Sequence, residues 1–107
     1  MERRLEPRML CADLVAIDVA EASGRVHREI ANLEDISASG ACIQLDRPIP
    51  LRTRLTITFE RGELSGVVRY CIFQEIGYFI GLEFEPGSRW SQESFRPRHL
   101  LDPRTLK

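Results

Sequence analysis

The stretch "RLTITFERGELSGVVRYCIFQEIGYFIGLEF", residues 54–84, decides the fold class. Its opening residues alternate, with Leu55, Ile57 and Phe59 on one side and Thr56 and Thr58 on the other. A period of two is the signature of a strand with one buried face. "ERGE", residues 60–63, supplies a hairpin turn around Gly62, and "LSGVVRYCIF" after it is a second β-prone run. "QEIG", residues 74–77, turns the chain again. "YFIGLEF" then sets Tyr78, Ile80, Leu82 and Phe84 on one face. Three strands joined by two short turns form an antiparallel meander.

Upstream the same pattern continues. "LCADLVAIDV" is mostly apolar and β-prone, and "EASG", residues 21–24, is a turn. "RVHREIANLEDIS" alternates in part: Val26, Arg28, Ile30 and Asn32 oppose His27, Glu29, Ala31 and Leu33. The lapse in that alternation predicts a bend or bulge near Asn32. "GACIQL" sets Ala41, Ile43 and Leu45 on one face, and "DRPIP" is a loop held by Pro48 and Pro50. Six short strands with short turns favour a small antiparallel barrel or sandwich. Closure removes exposed sheet edges. The expectation is an all-β, six-stranded antiparallel barrel over residues 9–86. It is preceded by a flexible, charged arm over 1–8, "MERRLEPR". Over 87–107 the pattern changes, with Pro97 and Pro103 and room for one short helical turn at "SQESF" or "RHLL". Trp90, Phe95, Leu100, Leu101 and Leu106 make this segment too apolar for a free tail. It either packs on the barrel end or docks a partner. Trp90 reads as core, with a guanine-stacking platform as the alternative.

At 107 residues and 43% apolar content, the chain is one domain able to build a core without metal or disulfides. Of its 15 cationic residues all but Lys107 are arginine. That is either codon bias or a supply of planar forks for phosphate and guanine. The net charge of −1 gives no broad basic field for nucleic acid, and 7% aromatic content is thin for a base-stacking surface. Cys11, Cys42 and Cys71 are odd in number and fit no metal spacing. They read as reduced, mostly buried hydrophobes, which points to the cytoplasm. Asp13 and Asp18 interrupt any signal-like run, "RMLC" is too poor in apolar residues for a lipoprotein signal, and no run nears the ~20 apolar residues of a membrane helix. Catalysis is not expected. The two histidines, His27 on a strand surface and His99 in the tail, stand alone, and no phosphate loop or activated nucleophile accompanies them.

Two short motifs remain. "EDISASG", residues 34–40, holds Asp35, Ser37 and Gly40, and by itself is only a turn. "RLEPR", residues 4–8, spaces Arg4 and Arg8 four apart, but in so arginine-rich a chain chance alone gives roughly two such pairs. Together they say more. An arm before the first strand and a turn between the second and third strands can meet at one end of a barrel.

With those two motifs, the apolar "ACIQL" after the turn and "GLEFEP" closing the last strand, residues 3–86 resemble the PilZ domain family. Its RxxxR and D/N-x-S-x-x-G patterns are intact and in order. The resemblance implies a bacterial receptor for cyclic di-guanosine monophosphate (cyclic di-GMP) that relays its signal to a separate effector protein. It also allows a PilZ-like protein-interaction scaffold that binds no nucleotide. It implies ligand contacts from Arg3, Arg4, Arg8, Asp35, Ser37 and Gly40, and no metal or cofactor. Arg4 and Arg8 can fork onto guanine O6 and N7 or onto phosphate. Asp35 can accept from guanine N1–H and N2–H₂, and Ser37 can donate to phosphate or carbonyl. Gly40 lets backbone approach the ligand or take a positive φ. Arg3 is the extra cation that would admit a second stacked nucleotide, and the arm would fold over the ligand on binding.

Overall fold

The structure, a computed structural model, describes residues 6–105. Six strands carry the fold: β1 (Met9–Ala20), β2 (Val26–Ile36), β3 (Gly40–Leu45), β4 (Arg54–Phe59), β5 (Gly62–Gln74) and β6 (Gly77–Phe84). They close into one antiparallel barrel in the order β1-β2-β3-β6-β5-β4, sealed by β1 against β4. The all-β, six-stranded antiparallel barrel anticipated from the alternation is the fold found.

The alternation converts directly into packing. Val15, Ile17 and Val19 of β1, Leu55 and Ile57 of β4, and Ile80, Leu82 and Phe84 of β6 all point into the core. Branched aliphatics dominate it, which suits strands, where β-branched side chains lie across the pleat at little entropic cost. Each fully buried aliphatic contributes about 1.5–3 kcal/mol before conformational entropy is set against it. Ile49, from the loop between β3 and β4, enters the far end of the barrel between Pro48 and Pro50 and is buried.

At the near end, residues after β6 cross the opening. The Trp90 backbone N–H donates to the Ala38 carbonyl at 3.0 Å, and its indole N–H to the Phe95 carbonyl at 2.7 Å. The Phe95 ring stacks on Phe59 with centroids 4.6 Å apart. Further on, Leu101 exchanges two backbone hydrogen bonds of 2.7 Å with Leu10. "SQESF" does close one turn, from Phe95 N–H to the Ser91 carbonyl at 3.3 Å. The short helix, however, is a single 3-10 turn at Pro103–Thr105, downstream of both stretches proposed for it. Asp102 anchors that turn, accepting from the backbone N–H of Arg104 at 2.9 Å. Among the described residues no helix is long and apolar enough to cross a membrane.

Candidate functional site

Three strands each carry one extra residue, and all three irregularities flank one lateral row of the barrel wall. The register shifts lie between Leu10 and Asp13 on β1, between Leu33 and Asp35 on β2, and between Val68 and Tyr70 on β5. On β2 the shift falls at Glu34, two residues beyond the expected Asn32. Its effect is specific. Ala31 and Leu33 face inward, so an unbroken strand would turn Asp35 into the core. The extra residue gives that inward place to Ile36 and leaves Asp35 on the outer face, part-buried. On β5, Leu64 and Val68 face inward, and the extra Arg69 sends Tyr70 outward. The row then reads Leu10–Asp35–Cys42–Gly81–Tyr70 as successive cross-strand partners.

Gly81 explains how that row packs. A Cβ there would collide with the Tyr70 ring, so the glycine lets the phenol lie flat against the wall. Tyr70 keeps 40% exposure and lies across Gly81 on the side of Cys42. Burial, and secondarily the neighbouring Cys42 thiol, pushes the phenol up to about 12. Burial also raises both the Cys42 thiol and that of Cys11, the latter to about 12, so neither supplies a thiolate at neutral pH.

The two sequence motifs meet on this row. The Arg8 guanidinium donates from Nη2 to Asp35 Oδ1 at 2.7 Å, with both side chains still partly exposed. Two residues earlier, Glu6 Oε1 accepts from the Ser39 hydroxyl at 2.7 Å and from its backbone N–H at 3.2 Å. Residues 6–8 are thus tied across the β2–β3 turn, where the sequence suggested an arm without anchors. Arg3 and Arg4 lie outside the described residues.

Inside the turn, Ser37 is fully buried. Its backbone N–H donates to the Gly40 carbonyl at 2.8 Å, and its hydroxyl leans on the same oxygen at 3.3 Å. Gly40 has an ordinary φ, and its requirement is space, since a Cβ would stand 2.5 Å from the backbone carbonyl oxygen of Leu82. Backbone cannot yield as a side-chain tip can. Gly40→Ala is therefore expected to destabilise the domain by about 1–3 kcal/mol through β3–β6 overpacking. At about 4–8 °C per kcal/mol, a thermal melt reads this directly.

Beside the pair lies a groove of about 400 Å³ lined by Arg8, Ser39, Gly40, Arg69, Tyr70 and Glu83, among others. Arg69, thrust out by its bulge, donates to Glu83 at 2.5 Å on the wall opposite Arg8. Glu6, Ser39, Arg69 and Tyr70 are absent from the sequence-derived site. Ser39 stands at a free position of the turn motif, and Tyr70 faces the groove only because of a bulge.

The Ser39 hydroxyl bond is the main reason the Glu6 carboxyl lies below its ordinary value of 4.5. A depressed carboxylate stabilises the fold above its unfolded value and loses that contribution as pH falls through the folded one. The Ser39 amide proton resonance is accordingly expected to titrate below pH 4.5, and in Glu6→Gln that titration is expected to vanish.

The sequence matches the family described as PilZ domain over residues 2–96. The chain belongs to the PilZ domain family. Solved structures share the fold at low identity. The PilZ domain with c-di-GMP of YcgR from Escherichia coli aligns with a TM-score of 0.60 at 13% identity, covering 81% of each chain. MotI/DgrA, described as an inhibitor of motility from Bacillus subtilis, aligns at 0.57 and 18% identity, over 88% of this chain and 47% of its own. The K. pneumonia MrkH–c-di-GMP complex aligns at 0.55 and 20% identity, over 79% and 45%. This PilZ domain thus spans about half the length of the latter two. No curated protein matches it.

Proposed function

We propose that this PilZ domain is a cytoplasmic receptor for cyclic di-GMP that relays nucleotide occupancy to a separate effector protein and catalyses nothing. The observation that carries the reading is the meeting of Arg8 and Asp35 at 2.7 Å on the rim of the groove. One of these groups is a fork of donors and the other a pair of acceptors, and guanine presents the complement of each on its two edges. Arg8 commits one nitrogen to Asp35, which leaves donors for O6, N7 or a phosphate oxygen. Arg3 and Arg4 add cations from the arm. Ser37 and Gly40 act by fixing the shape of the turn, since one is buried and the other is crowded against β6. Tyr70 offers a flat wall.

A second reading has its own support. The Arg8–Asp35 contact ties the two motifs to each other and the Glu6–Ser39 contact ties the arm to the turn beside them, as they would in a PilZ-like scaffold that binds only protein. Titration calorimetry separates the two. The receptor reading expects saturable binding of cyclic di-GMP, weakened at least ~10-fold in Arg8→Ala, about 1.4 kcal/mol. The melting midpoint should shift little, because a part-exposed ion pair contributes only ~0–1 kcal/mol. Unchanged affinity in Arg8→Ala sinks the site. An absence of heat with the native protein selects the scaffold.

A further inference from the structure

The end of the barrel away from the nucleotide groove holds a second concavity, of about 510 Å³. Its floor is apolar, built from Val19 of β1 and Ile49 and Leu51 of the β3–β4 loop. Three arginines stand on its walls, Arg47, Arg52 and Arg54, against one acid, Glu21. Arg47 is paired with Glu29, and Arg54 with Glu85 at 2.8 Å. Among the described residues Arg52 has no ion pair and no side-chain hydrogen bond.

The backbone at Arg52 is unusual. Thr53 N–H closes a turn onto the Pro50 carbonyl at 3.3 Å, and Arg52, at the third position of that turn, has a φ of 71°. Glycine or asparagine normally fills that place, because a side chain there is strained. The conformation is imposed by Arg52 N–H on the Val68 carbonyl at 2.8 Å and Val68 N–H on the Thr53 carbonyl at 3.0 Å. A strained arginine held open beside an apolar floor is the kind of outlier that points to a bound partner. Leu51, next to it, is 61% exposed.

We infer that this far-end groove docks an acidic peptide segment carrying an aliphatic side chain, supplied by a partner protein. The aliphatic group seats against Leu51, Pro50 and Ala22, which stay exposed above the buried Val19 and Ile49, and the flanking carboxylates meet Arg52 first, because it alone of the three has no acid of its own. The inference identifies the chemistry of the partner in the relay proposed above, and rests on that reading for the partner's existence. The groove is well placed for the task. Val68, which holds the Arg52 turn, is followed directly by Arg69 and Tyr70, which line the nucleotide groove. A shallow apolar concavity lined by Leu51, Tyr70 and Ile72 runs between the two.

A randomised dodecapeptide library selected on the full chain tests this, with cyclic di-GMP affinity measured separately on the same preparations. Enriched peptides are expected to be net acidic with at least one aliphatic residue, and one of them should shift the amide resonances of Val19, Arg52 and Thr53. Arg52→Glu is expected to weaken that peptide at least ~10-fold, from loss and reversal of charge. Arg52→Gly relieves the strained φ, so it should melt no lower than the native chain yet lose the peptide, which separates docking from folding. Both variants should keep the native affinity for cyclic di-GMP, so a failure of the nucleotide reading shows in a different titration. The inference is overturned if enriched peptides are basic or neutral, or if they bind Arg52→Glu equally. It is also overturned if the same amides respond to phosphatidylglycerol vesicles or to self-association rather than to peptide.

Discussion

Trp90→Ala is expected to lower the melting midpoint by at least about 12 °C, from a loss of ~3–5 kcal/mol. Trp90 lies after the last strand, in the segment read as too apolar for a free tail, and it is 7% exposed and packs in the core cluster. Alanine there leaves a cavity at the barrel mouth. It also removes the donor to the Phe95 carbonyl, which holds Phe95 where it stacks on Phe59. Trp90→Phe keeps most of the apolar surface and loses that donor, so it should cost only about 1–2 kcal/mol. The spacing between the two variants in a circular-dichroism melt apportions packing and hydrogen bonding. The Trp90 backbone also holds Ala38 inside the β2–β3 turn, so the alanine variant should weaken nucleotide indirectly. A melt within a few degrees of native would mean that the tail adds nothing to the barrel.

Much of this architecture was legible because strand periodicity is a local property. Leu55 and Ile57, or Ile80 and Leu82, announce their inward phase within a few residues, and short turns then leave few topologies for six strands. The meeting of the arm and the β2–β3 turn followed from the same count of strands out and back. What stayed hidden depends on register. Nothing in "NLEDI" states that Glu34 is the extra residue, because a bulge is set by the strand alongside, and a one-residue slip reverses every side chain after it. Asp35 was therefore placed by motif and not by phase, and Tyr70 was not placed at all. Ser37 and Gly40 show the opposite difficulty. Their types suit ligand contact, but burial of one and the crowding of the other against Leu82 give both a role in the turn itself. Glu6 was invisible because its partner, Ser39, is distant in sequence and unremarkable in type.

The sharpest expected result for the proposed ligand is discrimination between purines. Guanine sets O6 and N7 side by side as acceptors, which matches two donors of the Arg8 guanidinium. Adenine keeps N7 but carries an amino donor in place of O6, and a donor would then face a donor. The opposite edge repeats the argument, since adenine has neither the N1–H nor the N2–H₂ that the free oxygen of Asp35 would accept. Each lost two-point match is worth about 1–3 kcal/mol. Cyclic di-AMP is therefore expected to bind at least ~10-fold more weakly than cyclic di-GMP, and ~100-fold more weakly if both edges are read. Arg8→Lys should lose a similar amount although it keeps the charge. One ammonium is a point donor and cannot hold Asp35 and two base acceptors together. A contact to phosphate alone predicts the reverse, with both purines bound equally and lysine a fair substitute. It also predicts a steep salt dependence, because the remaining attraction would be charge at an exposed rim. Calorimetric titration of both dinucleotides into the native protein and Arg8→Lys decides between them. Equal affinities would mean that the groove reads charge, and that the Arg8–Asp35 pair serves the turn and not the base.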